Sequence, residues 1–109
     1  MATAGPEVFA ALADPTRWRV LELLGERGAA SATALAGQLP VSRVAIVKHL
    51  AVLERAALVE NHRHGREVRY RARPERLRET ADAMAAIAAG WDARLAALKR
   101  LAEEGPASG

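Results

Sequence analysis

The chain has 109 residues, 50% hydrophobic and 27% charged, enough for one core, too short for two independent ones and too apolar to stay disordered. With one Phe, one Tyr, two Trp and no Cys, the core must be built from Leu, Val, Ile and Ala, which suits helices. The lack of cysteine excludes disulfides, thiolate metal sites and cysteine nucleophiles. The net charge of +3 is unevenly spread: residues 42–73 carry eight basic side chains against three acidic ones, a balance of +5, and each flank balances at −1. Concentrated cationic charge attracts polyanions, although solvated arginines with no partner would look the same. No apolar run approaches the ~18 residues of a membrane span, and residues 1–6 carry no export signal, so a cytoplasmic location is expected.

Val8, Phe9 and Leu12 fall at helical spacing after Gly5-Pro6 and predict a short first helix. Asp14-Pro15 restarts the pattern, since Asp caps free amides and Pro at the first helical position loses no hydrogen bond. Val20, Leu21 and Leu24 carry the core stripe of this second helix towards Gly28, with Trp18 expected at the core edge. Ser31 is the cap expected for a third helix with Leu35, Ala36 and Leu39 inward, ended early by Gly37 and Pro40. Ser42 then caps a fourth helix over 42–56, with Val41 placed to staple onto Ile46. A join this short forces a steep crossing, the geometry of a helix-turn-helix.

After Ala57 the period changes to two. Residues 58–63 and 67–71 predict a hairpin within 58–73, jointed at Gly65, with too little apolar surface to fold alone. Pro74 opens a last helix reaching about Glu104, and residues 105–109 are expected to be a disordered tail. Along it Leu77, Met84, Trp91 and Leu98 recur every seven residues, beside Ala81, Ala88, Leu95 and Ala102. That stripe exceeds what so small a core can cover and predicts a second copy of the chain as partner; a helix lying wholly on its own domain is the alternative. The expected fold is mainly α with a small β-hairpin, in the order α-α-α-α-β-β-α, one domain over 1–104. Its interface between copies is expected from Val8, Phe9, Leu12, Met84, Trp91, Leu95 and Leu98.

At ~100° per residue, the fourth helix turns Ile46, Leu50, Leu53 and Ala57 to one face and Val44, Lys48, Ala51 and Arg55 to the other. Small apolar side chains flanked by cations suit a major groove, where Ala and Val can touch thymine methyls and Arg and Lys can reach phosphates or guanine edges. Ser42 and Arg43 are the first expected contacts, with Ser42 open to a capping role alone. At the hairpin, Arg63 and Arg66 around His64-Gly65 can lie along the sugar-phosphate rail or enter a narrow minor groove; a merely solvated hairpin is the alternative. His62 and His64 alternate on one strand, but two ligands do not close a metal site. Ser42 and His49 lack an orienting acid and a pocket, so no catalytic constellation is present and no enzyme is expected.

Ala13-Asp14-Pro15-Thr16-Arg17 leading into Val20-Leu21-Glu22-Leu23-Leu24, then Leu35-Ala36, Val41-Ser42-Arg43, Lys48-His49-Leu50, Val52-Leu53-Glu54, Leu58-Val59 and Gly65-Arg66 with Tyr70, resemble the ArsR family of winged helix-turn-helix repressors. The resemblance spans about residues 7–101. It implies a homodimeric bacterial transcriptional regulator that dimerises through its terminal helices and holds an inverted-repeat operator with its fourth helix and wing. By that resemblance Ser42, Arg43, Val44, Val47, Lys48 and His49 belong to the DNA-reading helix and Arg66 to the wing. The chain departs from metal-sensing relatives: Ala32, Thr33 and Ala34 stand near their thiolate motif, and the last helix has no His. No cofactor is expected, and a small-molecule effector is compatible with the composition but not indicated by it. A winged helix that binds another protein instead of specific DNA is the alternative function.

Overall fold

Short polar caps set where the helices begin. The computed structural model describes residues 6–104; the tail expected at 105–109 and the start of the chain lie outside the described residues. Helix α1 (Pro6–Leu12) is followed by α2 (Pro15–Arg27), whose first amides, of Thr16 and Arg17, donate to Asp14 Oδ1 at 2.8 and 3.1 Å. Strand β1 (Ala30–Ser31) runs into α3 (Ala32–Ala36), capped by Ser31 Oγ accepting from Ala34 N. Helix α4 (Arg43–Arg55) is capped in the same way by Ser42, which accepts from Ala45 N at 3.1 Å. Strands β2 (Val59–His64) and β3 (Glu67–Ala72) precede α5 (Pro74–Glu104). Helices α3 and α4 and their short joint form the expected helix-turn-helix, and the chain has the winged form of that fold.

The expected hairpin is part of a three-stranded antiparallel sheet in the order β1-β3-β2. The two-residue β1 was not anticipated; Ala30 pairs with Tyr70 and Ser31 with Arg69. It ties the hairpin back to the residues that start α3, which a hairpin with so little apolar surface needs. His64 pairs with Glu67, so Gly65 and Arg66 alone make the turn. The positive φ of 63° falls on Gly65, as in hairpins whose two-residue turn takes glycine first.

One core joins these elements. Val8, Val20, Leu24, Leu35, Ile46, Leu50, Leu53, Leu58 and Val59 are each almost fully withdrawn from solvent, with Val41 and Tyr70 packed against the cluster. Val8 was expected at the interface between copies; at 0% exposure it belongs to the protomer's own core and has no surface to offer a partner. Trp18, expected at the core edge, is 55% exposed because α2 turns it towards α5 rather than inward.

Helix α5 departs from this packing. Its 31 residues span roughly 46 Å at the helical rise, yet Thr80 is its one buried residue among those described. The radius of gyration is 20.0 Å, against about 13 Å for a close-packed chain of this length. Most of α5 therefore projects away from the core.

Helix α4 ends on a two-bond lock: Ala57 N donates to Glu54 O and Leu58 N to Leu53 O, both at 2.9 Å. This C-terminal motif requires a left-handed residue, normally glycine, and Ala57 takes that place at φ 61°. An L-residue with a Cβ is strained there. Replacing Ala57 with Gly should raise the unfolding free energy by about 1 kcal/mol, measured by urea denaturation, with no change in DNA affinity.

Candidate nucleic-acid interface

The buried trio Ile46, Leu50 and Leu53 fixes the rotation of α4. Val44, Val47 and Lys48 consequently face solvent, as do Arg43 and Arg55, and Ala51 is half-buried. Val44 is 63% and Val47 39% exposed, large values for β-branched apolar side chains. Arg43 is not free to wander: its Nε donates to Thr33 Oγ1 at 3.0 Å, which leaves the two terminal nitrogens of the guanidinium available. Ser42 is both exposed and engaged as the helix cap.

Across from this helix stands the wing. Register places Glu60, His62 and His64 on one face with Arg71, Arg69 and Glu67, and places Asn61 and Arg63 on the other with Tyr70 and Val68. Asn61 Nδ2 bonds to the Glu54 carboxylate, which fastens the wing to the end of α4. Arg66 occupies the turn itself. Between α3, the start of α4 and the wing lies an open cleft of about 760 Å³, bordered by Thr33, Arg43, Val47, Arg66, Val68 and Tyr70. The cleft thus has an arginine from α4 and another from the wing, with Glu67 also on its border.

Ion pairing by itself does not set this surface apart, since Arg27, Arg71, Arg78, Arg94, Lys99 and Arg100 also lack a carboxylate partner among the described residues; what marks it is how many such cations gather on it. Arg19, Arg69, Arg73 and Arg76 have carboxylates within 4 Å, each supplied from nearby in the chain. Arg43, Lys48, Arg55, Arg63 and Arg66 make no ion pair among the described residues. Unneutralised cations on one side of a small domain give a directed positive field. His62 pairs with Glu60 at 3.2 Å, and no group of three or more potential ligands could hold a metal among the described residues.

His49 is placed differently from the other residues of the expected reading set. It is half-buried at the side of α4, where Arg17 Nη1 lies 3.3 Å from its Nδ1. Arginine can only donate, so Nδ1 accepts and the ring proton sits on Nε2. The same guanidinium donates from Nε to Ala11 O at 2.6 Å and from Nη2 to Ala10 O at 3.2 Å, carbonyls at the end of α1, of which Ala10 O also accepts from Ala13 N. Arg17 therefore joins α1, α2 and α4. Sequence reasoning did not give it this role; the available signal was an arginine in the first turn of a helix that follows another helix within a few residues. The Arg17 amide, opposed by desolvation and aided by the Thr16 amide, holds the Asp14 carboxyl below its usual range. A depressed carboxylate value means stability that is present at neutral pH and lost as the pH falls through that value.

Of the residues expected between copies, Phe9 and Leu12 are half-buried, and Met84, Trp91, Leu95 and Leu98 are each more than half exposed. Ile87 and Leu101, which the seven-residue count passes over, are exposed to 58% and 66% on the same helix. Phe9, Leu12, Trp18, Leu21, Leu77 and Met84 line an apolar groove of about 480 Å³ between α1, α2 and the start of α5.

A helix-turn-helix with a basic wing, its outward helix face cationic, defines a DNA-binding transcriptional regulator. A family model described as a helix-turn-helix domain matches residues 12–62. The chain is 36% identical over 63 residues to the transcriptional repressor SdpR of Bacillus subtilis, covering 58% of this chain and 69% of that protein. It is 39% identical over 70 residues to the arsenic resistance transcriptional regulator ArsR1 of Pseudomonas putida, covering 64% of this chain and 55% of that one. Among solved structures, an ArsR-like transcriptional regulator from Rhodococcus sp. RHA1 superposes with a TM-score of 0.77 at 53% identity, over 88% of this chain and 90% of that one. The chain belongs to the ArsR family of transcriptional regulators, and it is a regulator rather than an enzyme. No helix among the described residues is long and apolar enough to cross a membrane.

Truncating Arg17 to Met should cost about 2 kcal/mol, the range for hydrogen bonds to a charged group, and Ser42→Ala about 1 kcal/mol for a lost cap. Chemical denaturation of the purified variants measures both.

Proposed function

We propose that the protein is a homodimeric repressor that holds an inverted-repeat operator in the cytoplasm through α4 and the basic wing, one domain serving both DNA binding and dimerisation. The observation that carries this reading is the conjunction of two unpartnered surfaces on one chain: the unpaired cations of α4 and the wing, and the apolar stripe of α5. Ser42, Arg43, Val44, Val47 and Lys48 are the proposed groove contacts, and Arg63 and Arg66 the proposed backbone contacts. His49, held by Arg17 through Nδ1, keeps an Nε2 proton to donate to a phosphate.

The dimer half of the proposal rests on area. Met84, Ile87, Trp91, Leu95, Leu98 and Leu101 are each more than half exposed. Together they amount to a patch on the order of 700 Å² per protomer, near the ~800 Å² each partner contributes to a standard interface and above the usual ~300–600 Å² of a monomer. Phe9, Leu12 and Trp18 extend it at one end. Two-fold pairing of α5 would set the reading helices about 34 Å apart, one turn of DNA, so that dimer geometry fixes half-site spacing. Repression follows from occupancy, since a dimer seated on a promoter excludes polymerase. An effector, where one exists, would act by altering that spacing.

Two measurements test this. In fluorescence-anisotropy titrations, Arg66→Ala should weaken specific and random duplexes alike and lower the salt slope by about one, whereas Arg43→Ala should cost about 1–3 kcal/mol on the specific site alone. Equal effects on discrimination contradict this division of labour. Sedimentation velocity at micromolar concentration should give a dimer for the native chain and a folded monomer for Leu98→Glu; a native monomer overturns the proposal.

A further inference from the structure

Nine large hydrophobic side chains among the described residues are exposed, and seven of them lie on α5 or, as Trp18, at the groove beside its start. The remaining two, Val44 and Val47, stand apart on α4 among Arg43, Lys48 and Arg55. Neither belongs to the core cluster or packs against it, since the helix is anchored there by Ile46, Leu50 and Leu53; Val44 stands in solvent and Val47 borders the open cleft towards the wing.

We propose that Val44 and Val47 are specificity-determining residues that recognise the C5-methyl groups of pyrimidines in the major groove. This rests on the reading that α4 enters that groove, and it names what the helix selects there. Three features support it. The two valines are three residues apart, so they are neighbours on one helix face. A valine in a helix has essentially one side-chain rotamer, so its methyls are presented at fixed positions and lose little freedom on contact. Neither can donate or accept a hydrogen bond, and the C5-methyl is the one apolar group a base pair displays in the major groove. Arg43 is held beside them by Thr33 with its terminal nitrogens unengaged, the edge that reaches guanine O6 and N7 in a bidentate pair. The preferred half-site then places a methylated pyrimidine next to a guanine. Thymine supplies the methyl in ordinary DNA, and 5-methylcytosine presents the same group at the same place.

The test begins with selection of the best-bound sequence from a randomised duplex library by the purified protein, followed by synthetic duplexes of that sequence. In one series each thymine is replaced by deoxyuridine, which removes the methyl and leaves every hydrogen-bonding group. In the other each cytosine is replaced by 5-methylcytosine. Loss of one recognised methyl should weaken binding about fourfold, the worth of one buried carbon group, at one or two positions per half-site. Val44→Ser and Val47→Ser, both at exposed positions and checked for unchanged melting, should each bring the thymine-to-deoxyuridine ratio to one at its own position. A gain from 5-methylcytosine that the same variants abolish identifies methylated cytosine as the source. Insensitivity of the native protein to both replacements overturns the proposal, as does sensitivity that survives in both valine variants. Absence of any salt-dependent duplex binding would instead overturn the DNA-reading assignment beneath it, so the two failures are distinct.

Discussion

The side chains of Ile46, Leu50 and Leu53 are fully withdrawn from solvent, and this anchoring decides where every other residue of α4 points. Each is worth roughly 1.5–3 kcal/mol in the core, so a rotation of the helix that exposed them would cost far more than covering Val44 and Val47 could return. The outward set follows without further instruction: cations and valines face solvent because the leucines and the isoleucine cannot. In the proposed function, DNA recognition by this chain is a consequence of core packing on the far side of one helix.

Arg17 extends that anchoring to α1. Its guanidinium reaches two carbonyls at the end of α1 and the His49 ring of α4, so α1 and α4 share a single polar hub beside the core. In the proposed dimer, where residues of α1 contribute to the contact between copies, the hub is a hydrogen-bonded route from that contact to α4. The wing has its own tethers, through β1 and through Asn61 to Glu54. Its position relative to α4 is thereby fixed on both sides of the cleft.

Much of this was legible in the sequence because it depends on local chemistry. Asp14, Ser31 and Ser42 are caps whose hydrogen bonds span two or three residues, and the apolar spacing of α4 sorted its inner face from its outer one. The hairpin was visible in the change of period and in Gly65. What stayed hidden depends on contacts between distant segments. Strand β1 has two residues and no pattern of its own; only Tyr70 and Arg69, some 40 residues on, make it a strand. Val8 and Phe9 are adjacent apolar residues of one short helix, and spacing alone does not say that the core takes the first and leaves the second half-exposed. Trp18 is turned towards α5 by the same kind of long-range choice. Arg17 joins three helices through backbone carbonyls, which no side-chain pattern announces. Ala57 is the reverse case: the sequence offers no glycine, yet the two-bond lock at the end of α4 holds the left-handed geometry there.

The central claim is that the surface formed by α4 and the wing is the one that meets DNA. Amide chemical-shift mapping of the ¹⁵N-labelled protein during titration with its selected duplex examines it residue by residue. The account predicts that the largest shifts fall within residues 42–55 and 62–67, with the apolar groove around Trp18 and Leu77 little changed. Shifts centred on that groove or on the outer half of α5, with α4 silent, would contradict it.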